Sequence, residues 1–74
     1  MTKVSRWMTI IGQMYADGIE LGVSPDKVYQ LTVTEIMRAW CENRLSYDDA
    51  RWLTDYTQGI FEAIREGMKE GDRS

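Results

Sequence analysis

Groups able to do acid, base or nucleophilic work are few in this chain, and it contains no histidine. The candidates are therefore carboxylates, Cys41, tyrosines and lysines, which catalysis would need held against one another with matched pKa values. Asp48 and Asp49 are adjacent, so on a helix they point in different directions. They read as first-turn charges that meet the positive end of a helix dipole. Glu62, Glu66 and Glu70 form an i, i+4, i+8 row with Arg65 and Lys69 among them, which marks a solvated helix face more than a cation site. Cys41 follows Trp40 on an apolar face, where a thiol behaves as a small hydrophobe. One cysteine and no histidine leave neither a zinc constellation nor an internal disulfide. The six glycines form no GxGxxG or GxxxxGK[ST] phosphate loop. The expectation is a protein with no catalytic residues, cofactor or metal, hence no enzyme.

Length and composition point the same way. Seventy-four residues make one domain at most, and a chain this short buries only roughly 60% of its unfolded surface. At 43% hydrophobic it is too apolar for a disordered chain. The net charge is −3. The excess lies after residue 45, where seven acidic side chains outnumber four basic ones. Nucleic-acid binders usually carry the opposite sign. The first fifteen residues, MTKVSRWMTIIGQMY, do not read as a signal peptide, because Gly12 and Gln13 interrupt the apolar run. No stretch approaches the ~18 apolar residues of a membrane span, so a cytoplasmic location and no membrane contact are expected.

These side chains must be carried by helices. Val4, Met8, Ile11, Tyr15 and Ile19 recur at spacings of three and four, which predicts a helix from about Thr2 to Leu21. Trp7, Ile10 and Met14 widen its apolar stripe, and Gly12 and Gly18 read as sites of close backbone approach. Gly22 is a natural stop. Ser24-Pro25-Asp26 is a strong start, followed by a short helix to Leu31. Thr32 and Glu35 have capping-box spacing, which predicts a further helix over about Val33–Asn43 with Ile36, Met37, Trp40 and Cys41 turned inward. Ser46 and Asp49 repeat that spacing, and Leu45 is placed to staple onto Ala50. The last helix spans about Tyr47 to Lys69 on Leu53, Tyr56, Ile60, Ile64 and Met68, with an Arg51–Asp55 pair on its surface and a frayed tail over residues 71–74. The fold class is all-α: one domain over residues 1–74, a small bundle of three to four helices with short connections.

Eight aromatic residues exceed what so small a core needs. Trp and Tyr dominate interface hot spots, and methionine suits adaptable contact surfaces. The partner-binding candidates are Trp7, Met8, Met14, Tyr29 and Trp52, with Met37 on the same reasoning, and the acidic row Glu62, Glu66 and Glu70.

The stretch Gly22-Val23-Ser24-Pro25-Asp26-Lys27-Val28-Tyr29-Gln30-Leu31-Thr32-Val33-Thr34-Glu35-Ile36 resembles a pattern in small tail assembly chaperones of tailed phages and prophages. In that family a glycine-small-Ser-Pro-acidic stretch leads to an aromatic, then Leu-Thr, a glutamate and a hydrophobic helix. The run Ala50-Arg51-Trp52-Leu53-Thr54-Asp55-Tyr56-Thr57 is similar to the family's second, aromatic and Leu/Thr-rich block, so the resemblance covers roughly residues 15 to 60. Tyr29 stands where the family usually has tryptophan, and the long first helix departs from the pattern. The resemblance implies a non-enzymatic role: shielding or organising tape-measure and tail-tube proteins before assembly, through hydrophobic helix faces, in the host-cell cytoplasm if the chain is phage-encoded. A homo-oligomer is a further expected partner on separate grounds, because small scaffolds without staples lean on a partner or on self-association. Two other readings stand beside the chaperone one. One is a small acidic phage-type inhibitor of a host defence or regulatory complex, working by electrostatic competition. The other is a helix-turn-helix DNA-binding regulator built on the two short helices after Ser24, whose exposed second helix would offer only Arg38 as a cation.

Overall fold

The structure, a computed structural model, describes residues 3–72, with side chains described for residues 3–67. The described residues form three α-helices: α1 (Lys3–Glu20), α2 (Pro25–Cys41) and α3 (Tyr47–Asp72). The fold is all-α, with three helices running up, down and up. No helix among the described residues is long and apolar enough to cross a membrane.

Local chemistry sets the breaks. Gly22 adopts φ +78°, and after it the chain reverses through two bonds: Gly22 N–H donates to the Ile19 carbonyl at 3.1 Å and Val23 N–H to the Gly18 carbonyl at 2.8 Å. This is the Schellman arrangement, which satisfies carbonyls the helix end leaves free. Ser24 then caps α2, its hydroxyl accepting from Lys27 N–H at 3.3 Å, with Pro25 in the first turn. At the far end of α2, Asn43 takes the left-handed position at φ 60°. Its N–H donates to the Trp40 carbonyl and that of Arg44 to the Ala39 carbonyl, so the same device works with asparagine in place of glycine. Ser46 caps α3 through Asp49 N–H at 3.2 Å. Leu45 and Ala50, the two sides of the expected staple, are both buried.

Between those breaks the expected four segments are three. Residues 25 to 41 form one continuous helix, which corrects the short helix to Leu31 and the restart at Thr32. No Gly or Pro interrupts residues 26–41, and a capping-box spacing without a breaker is compatible with a helix interior. The Thr32 hydroxyl donates back to the Tyr29 carbonyl at 2.8 Å instead of capping. The helix-turn-helix arrangement expected after Ser24 therefore lacks its turn. At its C-terminal end α3 runs to Asp72, three residues beyond the expected limit; the last two residues of the expected tail lie outside the described ones.

The core is built from Ile11, Tyr15, Val28, Ile36, Ala39, Leu45, Ala50 and Leu53. Four side chains expected to face inward, Met37, Trp40 and Cys41 on α2 and Ile19 on α1, are corrected by helical phase. The inward positions of α2 are Val28, Thr32, Ile36 and Ala39. At about 100° per residue, Trp40 and Met37 fall progressively to the side of that stripe, and Cys41 also is exposed. On α1 the stripe passes through Gly18, which is buried, while Ile19 is exposed. Gly18 is needed because a Cβ there would stand 2.5 Å from Val28 Cγ2. Gly12 faces open space and supports no close approach.

The core also contains polar groups. Thr32 and Thr57 are fully buried, and with Tyr15 they join all three helices. Tyr15 OH lies 2.9 Å from Thr57 Oγ1, which lies 2.9 Å from Thr32 Oγ1. Each hydroxyl has one proton. The Tyr29 carbonyl can only accept, so Thr32 donates to it. Thr57 then donates to Thr32, and Tyr15 to Thr57, its hydroxyl also lying 3.2 Å from the Thr57 carbonyl. No buried side-chain polar atom among the described residues lacks a partner.

Candidate functional site

Once the core is filled, a set of large apolar side chains remains at the surface. Met37 (52% exposed), Trp40 (41%) and Tyr47 (59%) lie together where α2 ends and α3 begins. The tight turn brings them together: Asn43 reverses the chain, Leu45 anchors it in the core and Ser46 restarts the helix, so that Tyr47 stands beside Trp40. Their rings meet edge-on, 5.6 Å apart at 61°, an arrangement favoured by the ring quadrupoles. Met37, Trp40 and Tyr47 line a groove of about 240 Å³ floored by Ile36 and Ala50 and rimmed by Arg51, Thr54 and Asp55. Arg51 and Asp55 form no ion pair among the described residues, where the pairs seen are Arg38–Glu35 and Arg44–Glu42. The rim therefore presents one free cation and one free anion beside an aromatic wall.

A second apolar groove, of about 440 Å³, lies at the opposite end of the bundle between Ile19, Val23, Pro25 and Ile64. It is larger but its walls are aliphatic. Interface hot spots favour Trp and Tyr in desolvated pockets, which singles out the α2–α3 groove as the candidate site. Among the described residues no group of three or more His, Cys, Asp or Glu side chains could hold a metal ion.

The structure does not gather the residues singled out from sequence into one surface. Trp7, Met8 and Met14 are half-buried along α1 and pack against the core. Tyr29 is half-buried and stacks on Phe61, with centroids 5.1 Å apart at 27°. Trp52 is exposed and stacks on Tyr56 at 5.6 Å and 10°, on the flank of α3 away from Tyr47. Glu62 and Glu66 are exposed, Glu62 accepting a weak 3.4 Å bond from Gln58 Nε2. The Glu70 side chain lies outside the described residues. Trp40 and Tyr47 are the members that sequence reasoning missed. Reading one helix from Pro25 would have set its phase on Val28, Thr32, Ile36 and Ala39 and turned Trp40 outward.

Comparison with protein-family models, curated proteins and solved structures finds no match to this chain.

Proposed function

We propose that this chain is a non-enzymatic protein-binding module whose α2–α3 groove receives the apolar face of a partner's helix. The observation that carries this reading is the cluster of Met37, Trp40 and Tyr47, exposed around a groove although the chain has a filled core beneath it. A groove between two helices accepts an amphipathic helix through side chains at i, i+3 and i+4. Arg51 and Asp55 on the rim supply polar contacts that fix its direction.

The finer reading is a tail assembly chaperone of a tailed phage, and it rests on the resemblance of residues 22–36 and 50–57. Those blocks supply Val28 and Ile36 on α2 and Ala50 and Leu53 on α3, the facing sides of the α2–α3 pair, so they build the scaffold on which the groove sits. The experiment is co-expression with a phage tape-measure protein, comparing the parent chain with a Met37→Ser, Trp40→Ser, Tyr47→Ser triple variant that remains helical by circular dichroism. The expected result is a soluble complex with the parent and none with the variant. A tape-measure protein left insoluble by the parent overturns the chaperone reading. A variant that binds as well as the parent overturns the groove.

A further inference from the structure

Charge is distributed unevenly between the two ends of the bundle. At one end Lys3, Arg6 and Arg44 surround Trp7 and Ile10 in a notch of about 190 Å³. Lys3 and Arg6 have no ion-pair partner among the described residues, and Arg44 shares its charge with Glu42 at 2.7 Å on an open surface. The first turn of α1 contains no acidic residue. Its cations therefore add to the positive end of the helix dipole instead of offsetting it. Ile10, 49% exposed, gives the notch an apolar wall.

The opposite sign lies at the other end. Glu62 and Glu66 are exposed on the C-terminal half of α3 and form no ion pair among the described residues. They are i, i+4 neighbours, about 6 Å apart on one face. Gly59 and Ala63, both exposed, lie beside them and leave room for larger side chains. Phe61 is level with Tyr29, so α3 continues roughly seven residues, or about 10 Å, past the first residue of α2. Glu62 and Glu66 lie at or just before the start of that extension, on the exposed side of α3 near the beginning of α2. The notch is at the start of α1 and this surface toward the end of α3, at opposite ends of an up-down-up bundle. One chain cannot bring them together.

We infer that the notch of Lys3, Arg6, Trp7, Ile10 and Arg44 receives the acidic C-terminal half of α3 from a second copy of the chain. Lys3 and Arg6 meet Glu66 and Glu62, while Ile10 and Trp7 cover Gly59 and Ala63. The contact is head-to-tail, so each pairing leaves one notch and one acidic end free, and association continues past a dimer unless the rotation closes a ring. This contact is separate from the α2–α3 groove and does not depend on what fills it.

Light scattering on the intact chain tests it. Between about 0.02 M and about 0.5 M salt the screening length falls from roughly 20 Å to roughly 4 Å. The expected mass rises with concentration at low salt and falls to that of the monomer at high salt. The Lys3→Glu, Arg6→Glu variant and the Glu62→Lys, Glu66→Lys variant should each be monomeric at low salt, because like charges then face each other. An equimolar mixture of the two should associate again, one pairing being of parent type and the other charge-swapped. A monomer at every concentration in low salt overturns the proposal. So does association that survives high salt or either reversal, or a mixture that stays monomeric while both variants are helical. If a reversal unfolds the chain, Arg6→Gln and Glu66→Gln replace it, and each is expected to weaken association about tenfold; unchanged association overturns the proposal.

Discussion

Tyr15 and Thr57 are 42 residues apart, yet their hydroxyl oxygens lie 2.9 Å apart in a fully enclosed site between α1 and α3. Through Thr57 the contact continues to Thr32 on α2, so one short relay from Tyr15 to the Tyr29 carbonyl spans the bundle. A slip of any helix by one residue would strand a buried hydroxyl, and such groups cost about 1–3 kcal/mol when unpaired. The relay therefore helps to fix helix register in a core whose other members are apolar.

Thr57→Val tests that role. The shape is kept, but the Thr57 hydroxyl that links Tyr15 to Thr32 is lost, and destabilisation by about 1–3 kcal/mol is expected in urea melts. Tyr15→Phe should cost about 1 kcal/mol, since Thr57 can still donate to Thr32. The double variant should be less unstable than the sum of the two, because the first loss has already broken the shared bond. Strict additivity would show that Tyr15 and Thr57 do not interact.

Three glycines should respond differently to alanine. Gly18→Ala places a methyl 2.5 Å from Val28 Cγ2 and should destabilise the α1–α2 contact by about 1–3 kcal/mol, as overpacking does. Gly22→Ala forces a side chain into φ +78° and should cost about 1 kcal/mol. Gly12 meets nothing within 4 Å, so Gly12→Ala should stabilise the chain by up to about 1 kcal/mol through helix propensity. Thermal melts of the three variants check the order.

Trp40→Ala separates the core from the surface. Trp40 is 41% exposed while Leu53 is fully buried. Leu53→Ala should cost about 2–5 kcal/mol, and Trp40→Ala clearly less, because its loss leaves no enclosed cavity. A Trp40→Ala variant as unstable as Leu53→Ala would place Trp40 in the core after all.

Ser46→Ala removes the hydroxyl that accepts Asp49 N–H at the start of the longest helix. The expected loss is about 1 kcal/mol. Thr34→Ala should cost less: its hydroxyl donates to the Gln30 carbonyl on an exposed face, within a helix that alanine favours. Equal effects would mean that the cap at Ser46 contributes nothing specific.

Much of this architecture was legible in the residues themselves. Gly22, Ser24-Pro25 and Ser46 act through their own backbone and nearest neighbours, so their sequence positions suffice to place the breaks around α1, α2 and α3. The all-α class follows from apolar spacing in the same local way. What the chain's order of residues left open was phase and company. Thr32 could cap a helix or sit inside one, because its hydroxyl serves either use; Thr57, 25 residues away, supplies the partner that makes the interior position favourable. Trp40 could face in or out until Val28, Thr32, Ile36 and Ala39 were seen to pack together, since rotation of a helix is set by what lies against it. Gly18 is informative only once Val28 is known to press on it. The groove of Met37, Trp40 and Tyr47 likewise depends on how two helices are set side by side across a turn. Local bonding determined where the helices are; packing between residues far apart in the chain decided which side chains they bury and which they present.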